Sequence, residues 1–207
     1  MSIPDYRKHV LDYYNRFGRF YELSKVLRSH THRRVVELCE CKPNDRVLDV
    51  CTGTGELALA FARHGVRVAA IDLARGIIRR GMGKKSPSRP LWAQMDATRL
   101  AFPDKLFDIS TLSLALHHMP EEVQADVLRE MSRVTRHKVV LVELRAPHDS
   151  RLWDVWEFVV SCIDESEHIH EWVRQNFTAT CQKAGLRVHH VEVTAFSVHC
   201  ISVCEPS

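Results

Sequence analysis

VLDVCTGTGELALAFA, residues 47–62, is the stretch on which the fold turns. Its first residues, with Arg46 before them, are short, β-branched and apolar, as a buried strand requires. Gly53 and Gly55 follow in a tight turn. Residues 56–64 then read as a helix, with Leu57, Ala58, Phe61 and Ala62 inward and Gly65 ending it. Strand, glycine turn and helix together present backbone N–H groups and a helix N-terminus to a ligand. Gly53-Thr54-Gly55-Glu56-Leu57-Ala58 also fits the G-x-G-x-x-A form of dinucleotide sites. Alone, the loop leaves open an NAD(P)-dependent oxidoreductase and a bare βα turn.

Outward from the loop, strand and helix patterns alternate. Strands are predicted at residues 66–71, 91–94, 107–116 and 139–144, and two closing strands at 188–194 and 197–204. Helices are predicted near residues 30–38 and 74–81, from Pro120 onward, and over most of 151–184. Pro120 suits a first helical turn, and Glu121 and Glu122 suit its dipole. Repeated βα units imply an α/β fold, a parallel sheet with helices on both faces.

The 207 residues suit one domain with a small appendage. At 45% hydrophobic and 27% charged, the chain can build a core without staples. A net charge of +3 is too small to call for nucleic acid or a membrane surface. No apolar run of about 18 residues reads as a transmembrane segment, and MSIPDYRKHV lacks the apolar core of a secretory signal. The seven cysteines read as reduced thiols of a cytoplasmic enzyme. Cys39-x-Cys41 has the wrong spacing for a zinc pair, and His168 and His170 stand two apart on a predicted helix, so no metal site is expected.

Three carboxylates narrow the choice of ligand. Asp49 sits within the first strand, where it would repel a pyrophosphate but suit an ammonium or sulfonium. Asp72 ends the second strand, placed to hold a ribose. Asp96 follows the third strand, where it can accept from an adenine amino group. The fourth strand leads into Leu116-His117-His118-Met119-Pro120 at the same rim. Open α/β sheets bind ligands at these carboxyl ends.

These segments match a known pattern. VLDVCTGTGELALAFA resembles the first motif of the class I S-adenosylmethionine-dependent methyltransferases, and AIDLARGI at residues 70–77 resembles their acidic segment after strand two. QMDATRLAFPDKLFDIS at residues 94–110 and LALHHMP at 114–120 resemble their third- and fourth-strand motifs. The wording is closest to the ubiquinone/menaquinone C-methyltransferases and their relatives, some of which also lack the glycine that Cys51 replaces. The likeness covers residues 46–147.

The resemblance implies a Rossmann-like doubly wound sheet of seven strands in the order 3-2-1-4-5-7-6, with strand seven antiparallel. It implies S-adenosylmethionine as cofactor. Asp49 would hold the methionyl ammonium beside Cys51 and Thr52, with Gly53 and Gly55 letting the backbone approach. Asp72 would take the ribose hydroxyls, Leu73 and Met95 would sandwich the adenine, and Asp96 and the Ala97 N–H would contact its edge. The acceptor expected is a small, apolar or aromatic molecule. The strand-four exit lacks the N/D/S-P-P-Y/F wording of enzymes that methylate bases, so no nucleic acid is expected.

Residues 1–41 are expected to form a helical lid segment before a cofactor-binding domain at 42–207. Val10, Tyr14, Phe17 and Tyr21 share one helical face, which serves as lid or as core. Tyr21 is counted among the candidate catalytic residues. His117 and His118 are the candidates for a base, because an unshifted imidazole titrates near neutral pH. Packing at the strand end is the alternative for either ring. A cofactor-binding protein without catalysis is the remaining possibility.

Overall fold

A computed structural model describes residues 25–86, 88–145, 168, 172, 175–194 and 199–207. Within them, α1 (Lys25–Cys39) precedes β1 (Arg46–Val50), α2 (Glu56–Arg63), β2 (Arg67–Asp72), α3 (Arg75–Met82) and β3 (Leu91–Gln94). The chain continues through β4 (Phe107–Ser113), α4 (Glu121–Val134), β5 (Thr135–Leu144), α5 (Phe177–Lys183), β6 (Leu186–Val193) and β7 (His199–Pro206). The strands form one sheet in the order β3-β2-β1-β4-β5-β7-β6. The first five pair in parallel, and β7 runs antiparallel to both β5 and β6. This is the expected doubly wound architecture.

Alternation along the strands splits the core into two layers. On one face, Val47, Ile109, Val140 and Ile201 pack under Val35 and Val36 of α1 and Leu57, Ala58 and Phe61 of α2. On the other, Leu48, Leu112 and Leu141 pack under Val123, Val127 and Met131 of α4 and Cys181 of α5. Helix α1 is thus part of a core layer. Lys138 of β5 fastens its end by donating to the carbonyls of Leu38 (2.8 Å) and Cys39 (3.3 Å), where a cation also meets the negative end of the helix. Arg34 grips Glu192 of β6 with both Nε and Nη2, each at 2.8 Å.

The fourth strand is shorter than the predicted 107–116. It stops at Ser113, Leu114 turns to φ +55°, and Leu116–His118 form one 3-10 turn. The apolar Leu114-Ala115-Leu116 hides this bend, which depends on a carboxylate from β5. Conversely, β5 begins at Thr135 directly after α4, four residues before the predicted start. Most of the helix expected at 151–184 lies outside the described residues, as do Val10, Tyr14, Phe17 and Tyr21.

Candidate active site

Asp49 is 2% exposed although it is ionisable. Thr111, its partner in the β1–β4 register, donates to Oδ1 at 2.8 Å, and Thr52 donates to Oδ2 at 2.5 Å. The Ala58 N–H in the first turn of α2 also points to it. Burial, the largest cause, still pushes its pKa from 3.8 up to about 6 against those three donors. A carboxyl raised in the fold holds its proton more tightly there than in the unfolded chain. Its contribution to stability is therefore complete below pH 3.8 and is lost as pH rises through about 6. Asp49→Asn should gain stability relative to the wild type as pH rises through about 6, read as urea midpoints in unliganded protein. A difference that stays constant from about pH 4 to 7 would mean Asp49 does not titrate in this range.

The turn after β1 is clamped to the end of β2. Thr52 N–H donates to Ile71 O at 2.9 Å, and Gly53 N–H to Asp72 Oδ2 at 2.8 Å. The other oxygen of Asp72 accepts from Ala74 N–H at 2.9 Å. Burial raises the Asp72 carboxyl, and those two N–H donors pull it back. Cys51, Gly53 and Gly55 all have positive φ (53°, 57° and 74°). At Gly55 the requirement is double, because a Cβ there would also lie inside the Trp92 ring. One on Gly81 would stand 2.5 Å from Trp92 Cη2, so this ring is wedged between the turn and α3.

Asp96 begins a small turn, its Oδ1 accepting from Thr98 N–H (2.9 Å) and Thr98 Oγ1 (2.7 Å). Leu73 and Met95 are half-buried beside it, and Ala97 is buried. The Leu73 carbonyl accepts from the Gln94 amide, and Met95 N–H donates to Asp72 O. The candidates from three strand ends therefore meet. The Cys51 thiol registers this convergence: burial, then Asp72, Asp49, Glu143 and Asp96 in turn, hold its pKa well above the usual thiol value.

The strand-four exit is organised by Glu143, which sequence reasoning missed. Its Oε1 accepts from Ala115 N–H (2.9 Å) and Leu116 N–H (2.7 Å), while Oε2 lies 2.5 Å from His117 Nδ1. His117 is 2% exposed. His118 is half-buried, its ring centroid 4.2 Å from that of His117. One carboxylate thus holds a bend and orients an imidazole. The other residues missed are Thr111, Trp92, Thr54 and His32.

A small open pocket lies between α1, the glycine turn and the ends of β1 and β4. His32, Asp49, Thr52, Thr54, Glu56 and Ser113 line it. Lys84 donates to Glu56 at 2.6 Å. Thr54 is 1% exposed, and among the described residues its hydroxyl has no partner. Among the described residues, no three His, Cys, Asp or Glu side chains gather as a metal site, and no helix is long and apolar enough to cross a membrane.

Residues 47–138 match the model of a methyltransferase domain. The chain is 37% identical over 118 residues to a demethylmenaquinone methyltransferase of Streptomyces avermitilis, covering 56% of this chain and 49% of that protein. The match thus spans about half that relative's length. It is 30% identical over 177 residues to a ubiquinone/menaquinone biosynthesis C-methyltransferase of Teredinibacter turnerae, covering 77% of this chain and 70% of the other. Its fold is similar to that of a magnesium protoporphyrin IX methyltransferase from Synechocystis with bound S-adenosylhomocysteine. That likeness has a TM-score of 0.77 at 18% identity over 97% of this chain and 100% of the other.

Proposed function

The chain belongs to the class I S-adenosylmethionine-dependent methyltransferases, and on that premise we propose that it methylates a small, apolar or aromatic molecule. The observation carrying this reading is the meeting of Asp49, Asp72 and Asp96 at adjacent strand ends around the glycine turn. Such a cluster favours a ligand with ammonium, hydroxyl and amino donors and disfavours a pyrophosphate. The hydroxyl of Thr54 beside it, without a partner among the described residues, fits a polar ligand, since buried polar groups are normally satisfied. Asp49 takes the ammonium, Asp72 the ribose hydroxyls and Asp96 the adenine amino group, while Cys51, Thr52, Gly53, Gly55, Leu73, Met95 and Ala97 shape the cradle.

When bound, the cofactor supplies an electrophilic methyl group on sulfur, which needs no metal or covalent help. The protein's part is to align the acceptor and exclude water. His118, the half-buried ring, is the candidate to receive an acceptor proton where the acceptor has one to lose. His117 is the candidate to hold His118 in place, oriented in turn by Glu143. Tyr21 remains a candidate from the segment before α1.

The relatives are named for demethylmenaquinone and for ubiquinone/menaquinone biosynthesis. Aromatic quinone precursors are therefore the first acceptors to test. Calorimetric titration with S-adenosylhomocysteine and with NADH separates the two nucleotide readings: binding of NADH alone would overturn this one. Asp72→Ala should weaken S-adenosylhomocysteine by about 1–3 kcal/mol through lost charge-assisted hydrogen bonds. Unchanged affinity would show that the ribose lies elsewhere. Tight cofactor binding without methyl transfer across an aromatic acceptor panel would favour a binding protein.

A further inference from the structure

We propose that Cys39 and Cys41 form a reversible redox site that takes a small-molecule disulfide such as oxidised glutathione, Cys41 being the attacking sulfur and Cys39 the resolving one. Both are free thiols. Helix α1 ends at Cys39, and Glu40 follows at φ +50°, a left-handed residue that turns the chain. Its N–H donates to Glu37 O at 3.1 Å. Lys138 holds the turn from β5, donating to the carbonyls of Leu38 and Cys39 and to the Glu40 carboxylate at 3.0 Å. So anchored, the turn brings the two thiols into hydrogen-bond contact, Cys39 donating to Cys41. Sulfurs that already touch can bond with little backbone movement.

Access separates the two thiols. Cys39 is 2% exposed in the core layer beneath α1, whereas Cys41 is half-buried, so a dissolved disulfide meets Cys41 first. The hydrogen bond from Cys39 pulls the Cys41 thiol below its usual value, with Lys138 helping against burial and the charge of Asp45. Burial pushes the half-buried Cys51 and Cys200 the other way. The thiolate is the nucleophile in exchange, which favours Cys41. Cys181 and Cys204 are a second pair in hydrogen-bond contact, but both are fully buried. In the first step the Cys41 thiolate attacks one sulfur of the small disulfide, forming a mixed disulfide and releasing one thiolate. The Cys39 thiolate then attacks Cys41 Sγ, closing the Cys39–Cys41 bond and releasing the second. The protons lost by the two protein thiols pass to the two released thiolates. Two protein thiols are thus oxidised, and one small disulfide is reduced to two thiols.

In the test, the full chain is equilibrated with set ratios of oxidised to reduced glutathione, quenched, alkylated under denaturing conditions and mapped by peptide mass. The wild type should lose the Cys39 and Cys41 thiols together, and excess reduced glutathione should return them. Cys51, Cys181, Cys200 and Cys204 should stay open to alkylation throughout. Cys39→Ala, which keeps that position apolar, should stop at a mixed disulfide between Cys41 and glutathione. Cys41→Ser should leave Cys39 reduced. In the reduced wild type, Cys41 should react with iodoacetamide about fivefold or more faster than Cys200. Oxidation that begins at any other cysteine, or a Cys41 no faster than Cys200, would overturn the proposal. So would a Cys39→Ala protein whose Cys41 stays reduced at ratios that oxidise the wild type.

Discussion

Glu143→Ala is expected to destabilise the protein by about 3–5 kcal/mol and to abolish whatever turnover depends on the strand-four exit. The side chain is 3% exposed and accepts three hydrogen bonds, from Ala115 N–H, Leu116 N–H and the His117 ring. Removing it strands the buried donors of Leu116 and His117, and each such group costs about 1–3 kcal/mol. Glu143→Gln separates shape from charge. Its carbonyl oxygen can still serve the two backbone N–H groups, so most of the stability should return. The amide N–H₂ then faces His117 Nδ1, which must become an acceptor and move the ring proton to Nε2. Urea unfolding of both variants reads the first effect, and the ¹⁵N shifts of labelled histidine read the second. A loss below about 1 kcal/mol in Glu143→Ala would show that the bend at 115–117 does not hang on this carboxylate.

Gly55→Ala should cost a similar amount by a different mechanism. The residue sits at φ +74°, a region that penalises any Cβ by about 1–2 kcal/mol. The added methyl also collides with the Trp92 ring, and overpacking of this kind costs about 1–3 kcal/mol. The two parts can be separated. In a double-mutant cycle with Trp92→Ala, the clash should vanish and the backbone penalty remain, leaving a coupling of about 1–3 kcal/mol. Additive losses would place the Trp92 ring elsewhere. Because Gly55 opens α2, the strained loop should also lose affinity for S-adenosylhomocysteine, in contrast to a remote destabilising change.

What the sequence announced, and what it withheld, follows from the range of the interactions. Asp49 was legible because an acid inside an apolar strand breaks the local pattern. Asp72 and Asp96 were legible because each follows a strand at the rim where ligands bind. The seven-strand order came from motif likeness, and the sheet has that order. Glu143 was hidden because nothing near it in the chain signals its partners, which lie 26–28 residues earlier. The bend at Leu114 reads as strand in the sequence because leucine does not advertise φ +55°. Trp92 and His32 were passed over for the same reason as Glu143. Each acquires its role only when a distant element arrives: α3 and the glycine turn for Trp92, the ends of β1 and β4 for His32.

The two packed layers have an evolutionary consequence. Asp49 and Thr111 share the face covered by α1 and α2, whereas Glu143 shares the face covered by α4 and α5. Substitutions behind Glu143 and those behind Asp49 fall into separate cores with few common neighbours, so their effects should add. A lineage can accumulate change behind the bend at 115–117 without disturbing the glycine turn. Descendants of one such ancestor can therefore diverge in what they modify while inheriting the same donor.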